Sequence, residues 1–117
     1  VKKDAAGLVT LLATSGVLHF VAPKPFDAIV PRSLPGSART WTYVSGVAEL
    51  AVAAAIAHPR TRKAGGLAAA ALFAAVFPAN VKMAWDWRHA SPVKRAVAFG
   101  RLPAQAPLIA WALRVSR

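Results

Sequence analysis

An all-α, membrane-embedded fold is predicted for this 117-residue chain by three observations. Apolar residues make up 56% and charged residues only 16%, where soluble domains carry roughly 25% charged. Long uncharged runs recur along the chain, and the basic residues are confined to the gaps between them. A net charge of +11 distributed in this way matches loops at a lipid headgroup surface. A nucleic-acid binder would instead gather its cations on one folded face, so nucleic acid is not expected as a partner. The length allows a single domain. The sequence contains no cysteine, which excludes disulfides, thiolate metal sites and iron–sulfur clusters.

Residues 5–23 are 19 consecutive uncharged residues, enough to cross about 30 Å of hydrocarbon at about 1.5 Å per residue. The run follows Lys2 and Lys3 as a signal peptide would, but it exceeds a plain signal core and further runs follow, so it reads as a retained span over about 5–22. His19 lies one turn before Pro23 and Pro25, which end the helix. Residues 24–40 hold Pro25, Pro31, Pro35 and Gly36 and so predict a loop, its Phe26, Ile29, Val30 and Leu34 lying against the bilayer or capping the bundle. Asp27 reads as a turn cap.

The second span, 41–57, is WTYVSGVAELAVAAAIA and contains Glu49, the only glutamate in the chain. A charged group inside a span costs about 2.5–3.5 kcal/mol on insertion scales, so Glu49 is expected to face protein or a water-filled cavity. Ser45 shares its helix face, and Gly46 offers a close backbone approach. His58-Pro59 closes the helix, and the short basic turn that follows predicts an antiparallel third span over 64–87. That span is alanine-rich after Gly65 and Gly66, is expected to kink at Pro78, and has Asn80 placed to meet backbone groups the kink frees. Trp85 and Trp87 form an interfacial belt, and Lys82 with Asp86 an ordinary i,i+4 ion pair. Residues 88–101 read as a basic connector with an interfacial turn near Val93–Phe99. The last span, 102–115, has only 12 uncharged residues in a row, about 18 Å of helix, extended by snorkelling of Arg101, Arg114 and Arg117.

Four spans alternating in direction make an up-down antiparallel four-helix bundle. One side of it gathers His19, Trp41, Tyr43, Ser45, Glu49, Asn80, Trp85, Trp87, Arg101 and Gln105, whereas the other is alanine, leucine and valine. The expectation is a vestibule open to one side and narrowing toward Glu49. His19, Tyr43, Ser45, Glu49, Asn80 and Gln105 are the candidate ligand-contacting residues. The alternative is that Glu49 only fixes helix register. Catalytic templates fail on count, because no second carboxylate lies deep enough to pair with Glu49. No His-x3-His or HExxH spacing is present, so no metal site or catalytic set is expected. The density of the 60–63 turn favours a cytoplasmic placement for that side.

The stretches Gly16–Phe20, Tyr43–Glu49, Phe77–Ala84 and Arg101–Pro103 with Gln105 together resemble the DoxX-like family of small four-helix bacterial membrane proteins. The similarity runs over about residues 7–116. It implies a multi-pass protein of the bacterial inner membrane and, through relatives tied to quinone-linked or oxidative-stress assemblies, a redox neighbourhood. Thiol roles do not carry over to a chain without cysteine. Ala104 and Ala106 depart from the family pattern around Gln105. The leading expectation is a non-catalytic accessory subunit of a larger, redox-linked membrane assembly, with the bilayer and other membrane subunits as partners and homo-oligomerisation open. The alternatives are a binding protein or enzyme for a lipid-soluble ligand such as a quinone or lipid, and a small proton-coupled exporter.

Overall fold

The computed structural model describes residues 3–28, 30 and 34–117. It is all-helical, with no strand among the described residues. The helices are α1 (Lys3–Val21), α2 (Lys24–Asp27), α3 (Ala38–Ala57), α4 (Arg62–Asp86) and α5 (Pro92–Val115). Ile29 and Pro31 of the expected loop, with Lys2 and Arg32, lie outside the described residues.

Three helices, α1, α3 and α4, are long and apolar enough to cross a membrane. Only 22–28% of their apolar windows is buried within the protein itself. The remainder includes Val17, Val21, Val44, Val47, Leu67 and Trp85, each half or more exposed. Such faces are stable against lipid, which solvates apolar side chains as well as a core does.

Local chemistry sets the helix ends. Gly36, at φ +82°, takes the left-handed turn that a side chain would resist. Ser37 then caps α3, its hydroxyl accepting from the Thr40 N–H at 3.2 Å. At the other end of α3, Thr61 Oγ1 donates to Ala55 O at 2.6 Å and Arg62 Nε to Ile56 O at 2.9 Å. These bonds satisfy carbonyls that every helix C-terminus leaves without an internal partner.

The stretch read as a connector, 88–101, belongs largely to a helix. Ser91 caps α5 and accepts from Lys94 N at 3.4 Å, with Pro92 in the first turn where its missing N–H costs nothing. The helix then continues through Pro103 and Pro107, both exposed, so their rings crowd no neighbouring helix. α5 is not among the three, and even its least charged stretch, 96–113, holds Arg101, Gln105 and two prolines. α4 likewise runs unbroken through Pro78.

Helix contacts are closest where glycines remove side-chain bulk. A Cβ on Gly16 would meet Leu50 at 2.8 Å and the Gly46 carbonyl at 3.2 Å, and one on Gly46 would meet His19 and Phe20 below 3 Å. The start of α4 is clamped on two sides, Gly65 against the Ile56 backbone and Gly66 against Ser116 and Ala112 of the α5 end. Trp111 lies over Gly7, its Nε1 donating to Asp4 O at 2.8 Å. The most extensive packing joins α1 to α3 and α4 to α5, then α3 to α4, with a lighter contact between α1 and α5. One apolar core draws Leu8 and Leu12 from α1, Ala53 and Ile56 from α3, Ala69 and Phe73 from α4, and Ala112 and Val115 from α5.

Because the atoms facing Gly66 are backbone, they cannot swing aside. Gly66→Val is expected to destabilise by about 1–3 kcal/mol through overpacking, read as a lower melting temperature in detergent. Gly100, with nothing within 4 Å of its added Cβ, is the control and should tolerate alanine.

Candidate functional site

Buried polar groups lie toward the α2 end of the molecule, outside the apolar core. They are His19, Thr42, Asn80 and Gln105, each no more than 7% exposed. On α3, Thr42, Gly46, Glu49, Ala53 and Ile56 recur at helical spacing, so one stripe carries both the glycine of the α1 crossing and the glutamate. On α1 the buried Gly16 and His19 follow the same logic.

The crossing brings His19 to Glu49, with Nδ1 3.7 Å from Oε2 and side-chain exposures of 8% and 14%. His19 Nδ1 lies 2.7 Å from the Ser15 carbonyl. A carbonyl can only accept, so this nitrogen carries the proton and donates to it. At 3.7 Å, Glu49 Oε2 is beyond a hydrogen bond to the same nitrogen and has no partner. The Ser15 side chain sits beside the same carboxylate. The His19 ring stacks on Phe26 of α2 with centroids 3.8 Å apart, which fixes its plane.

Two further buried oxygens, Asn80 Oδ1 and Gln105 Oε1, also lack a hydrogen-bond partner. Tyr43 stacks on Phe20 at 5.1 Å, under the Arg39 guanidinium at 5.7 Å, on the outer surface. Ser45 is half-buried and Arg101 exposed. Of the six candidates, the structure joins His19 and Glu49. Asn80 and Gln105 are buried on α4 and α5 with no hydrogen bond to that pair, and Tyr43 faces outward.

Asp27 does more than cap a turn. Its carboxylate accepts from Thr42 Oγ1 at 2.5 Å and from Arg39 Nε at 2.9 Å, tying α2 to the first turns of α3. The Thr42 hydroxyl, and then the Arg39 guanidinium, hold the Asp27 carboxyl below its ordinary value, against the opposing effect of partial burial. Trp41 Nε1 donates to Pro35 O at 2.6 Å and steadies the same corner. Lys82 pairs with Asp86 and reaches Ala28 O at 3.5 Å. A cleft of about 370 Å³ lies here, lined by Asp27, Ala28, Val30, Leu34, Gly36, Ala38, Trp41, Lys82 and Asp86. It occupies the side where a vestibule was expected, but none of the six candidate residues lines it. Among the described residues no cluster of His, Asp or Glu could hold a metal ion.

Thr42 and Ser15 were not singled out from the sequence, although Thr42 lies one turn before Gly46 on the face that Glu49 shares. A family described as Domain of unknown function (DUF8561) matches residues 8–116, a range that takes in α3, α4 and α5 whole and α1 from Leu8 on. The chain belongs to the DUF8561 family. No curated protein and no solved structure matches it. The DUF8561 match therefore covers the His19–Glu49 pair and the Asp27 clamp without assigning a role to either.

The lowered Asp27 value gives a defined pH dependence. Its contribution to folding is complete above the unfolded carboxylate value and is lost as pH falls through the depressed folded value. Unfolding followed by tryptophan fluorescence should show stability falling below about pH 4, and Asp27→Asn should flatten that limb. For the buried pair, a His19→Ala and Glu49→Gln cycle should give a coupling of about 0.5–3 kcal/mol, whereas strict additivity would show that the two side chains do not sense each other.

Proposed function

We propose that this is a multi-pass protein of the cell (inner) membrane, an up-down four-helix bundle that serves as a non-catalytic accessory subunit of a larger, redox-linked membrane assembly. The observation that carries this reading is on the outer surface of α4. Ala64, Ala68, Ala71 and Ala75 are all exposed and recur at helical spacing, forming one small-residue face that no described residue covers. In lipid such faces favour docking of another helix, because backbones can approach closely there. Two further observations support the bundle. The start of α4 meets the ends of α3 and α5, and Asp4 at the start of α1 meets Trp111 and Arg114 near the end of α5. In keeping with a relationship to the DoxX-like proteins, the GVLHF and YVSGVAE segments pack on each other at the Gly16–Gly46 crossing.

A second reading is favoured by the partnerless oxygens of Glu49, Asn80 and Gln105. Buried acceptors without donors suit a lipid-soluble ligand that brings its own, such as a reduced quinone.

Purification in mild detergent should recover a larger membrane protein in fixed stoichiometry. Ala68→Leu with Ala71→Leu should release it while leaving the melting temperature within a few degrees. Recovery of only monomer or homodimer would remove the subunit reading. Native quinone that disappears in Glu49→Gln would favour the second.

A further inference from the structure

At the end of the molecule away from α2, four cations surround a cleft of about 320 Å³. Arg62 and Lys63 open α4, Arg114 lies in the last turn of α5, and Arg117 follows it. A single carboxylate, Asp4, opposes them. The cleft at the other end differs in kind, since its cation Lys82 is already paired with Asp86.

Two of the four cations are held in place by the fold. Arg62 donates through Nε to Ile56 O at 2.9 Å and through an Nη to Ala57 O at 3.2 Å. Arg114 Nε donates to Asp4 Oδ2 at 3.0 Å. That bond engages the one acid and leaves both Nη groups of Arg114 over. Lys63 and Arg117 have no ion-pair partner among the described residues. Beneath the charges, Ala5 and Val115 are buried apolar residues, so the cleft has a greasy floor. Its level is that of four helix ends, where α1 begins at Lys3, α3 stops at Ala57, α4 begins at Arg62 and α5 stops at Val115.

We propose that this cleft binds the phosphate of an anionic phospholipid headgroup. Lys63 and Arg117 supply unpaired charge, and the anchored guanidinium groups of Arg62 and Arg114 supply oriented N–H donors. Anchoring lowers the entropy lost on binding, and guanidinium geometry matches phosphate oxygens. The volume equals about ten waters, room for a phosphodiester with its glycerol, whose apolar end meets Ala5 and Val115. Basic pockets between membrane helices bind anionic headgroups by the same physics. The inference rests on the membrane reading above and needs no partner subunit.

The test uses the full chain in neutral detergent, titrated with dihexanoyl phosphatidylglycerol, with dihexanoyl phosphatidylcholine, or with inorganic phosphate. Thermal melting and native mass spectrometry give the readouts. Phosphatidylglycerol should raise the melting temperature and stay bound, and phosphatidylcholine should do neither. Lys63→Gln with Arg117→Gln, both at exposed positions, should weaken phosphatidylglycerol binding about thirtyfold. The charge-matched control, Lys24→Gln with Arg95→Gln at the opposite end, should leave it unchanged. Equal stabilisation by phosphate alone would overturn the lipid assignment in favour of a free anion. Wild-type affinity in the Lys63/Arg117 variant, or equal binding of phosphatidylcholine, would overturn the site itself. Extraction of the chain without detergent would instead sink the membrane reading, before any binding is measured.

Discussion

The near-contact of α1 and α3 at Gly16 and Gly46 is the constraint on which the polar half of this molecule depends. Each glycine occupies a place where a methyl group would strike the opposite helix below 3 Å. With the backbones this close, the residues one turn further along each helix, His19 and Glu49, face each other. The Ser15 carbonyl then fixes the tautomer, and Phe26 fixes the ring plane. α2 is held in turn by Asp27 bonding to Thr42 and Arg39. One steric condition thus propagates through a short series of bonds into the shape of the whole corner.

The two ends of the molecule solve different problems. Around Ile56, Phe73 and Ala112 the four long helices share a dry core, secured at its rim by Arg62 on α3 carbonyls and by Trp111 and Arg114 on Asp4. Around Glu49, Asn80 and Gln105 acceptor oxygens are enclosed without donors. A buried acceptor left unmet costs about 1–3 kcal/mol, so these oxygens call for a donor that the described residues do not supply. A ligand that brought donors there would meet that demand, as the second reading of function has it, whereas the subunit reading rests on the alanine face of α4.

How much of this was legible in the sequence depended on whether a feature is local. The apolar runs were legible because a bilayer demands about twenty residues and the chain supplies them three times. The inward placement of Glu49 follows from the cost of charge among apolar helices, whereas the burial of His19 does not follow from its place near the end of α1. Over 88–101 the basic residues read as a connector, although Ser91-Pro92 is a helix start by capping chemistry. Tyr43 was expected inside because it lies near Ser45 and Glu49 in the chain. The buried stripe runs through Thr42, Gly46 and Glu49 instead, and Tyr43 falls one residue off it. The Asp27–Thr42 bond spans a proline-rich loop whose path no periodicity encodes, so it became visible only in three dimensions.

The bonds that close α3 onto α4 join residues five or six apart, Arg62 with Ile56 and Ala57, and Thr61 with Ala55. Those that fasten α1 to α5 join residues 107 and 110 apart. Loop-closure entropy sets these apart in time, because a hairpin can complete its own bonds while the distant strap waits for nearly the whole polypeptide. The α3–α4 turn can therefore close early, and the seam between the first and last helices closes late.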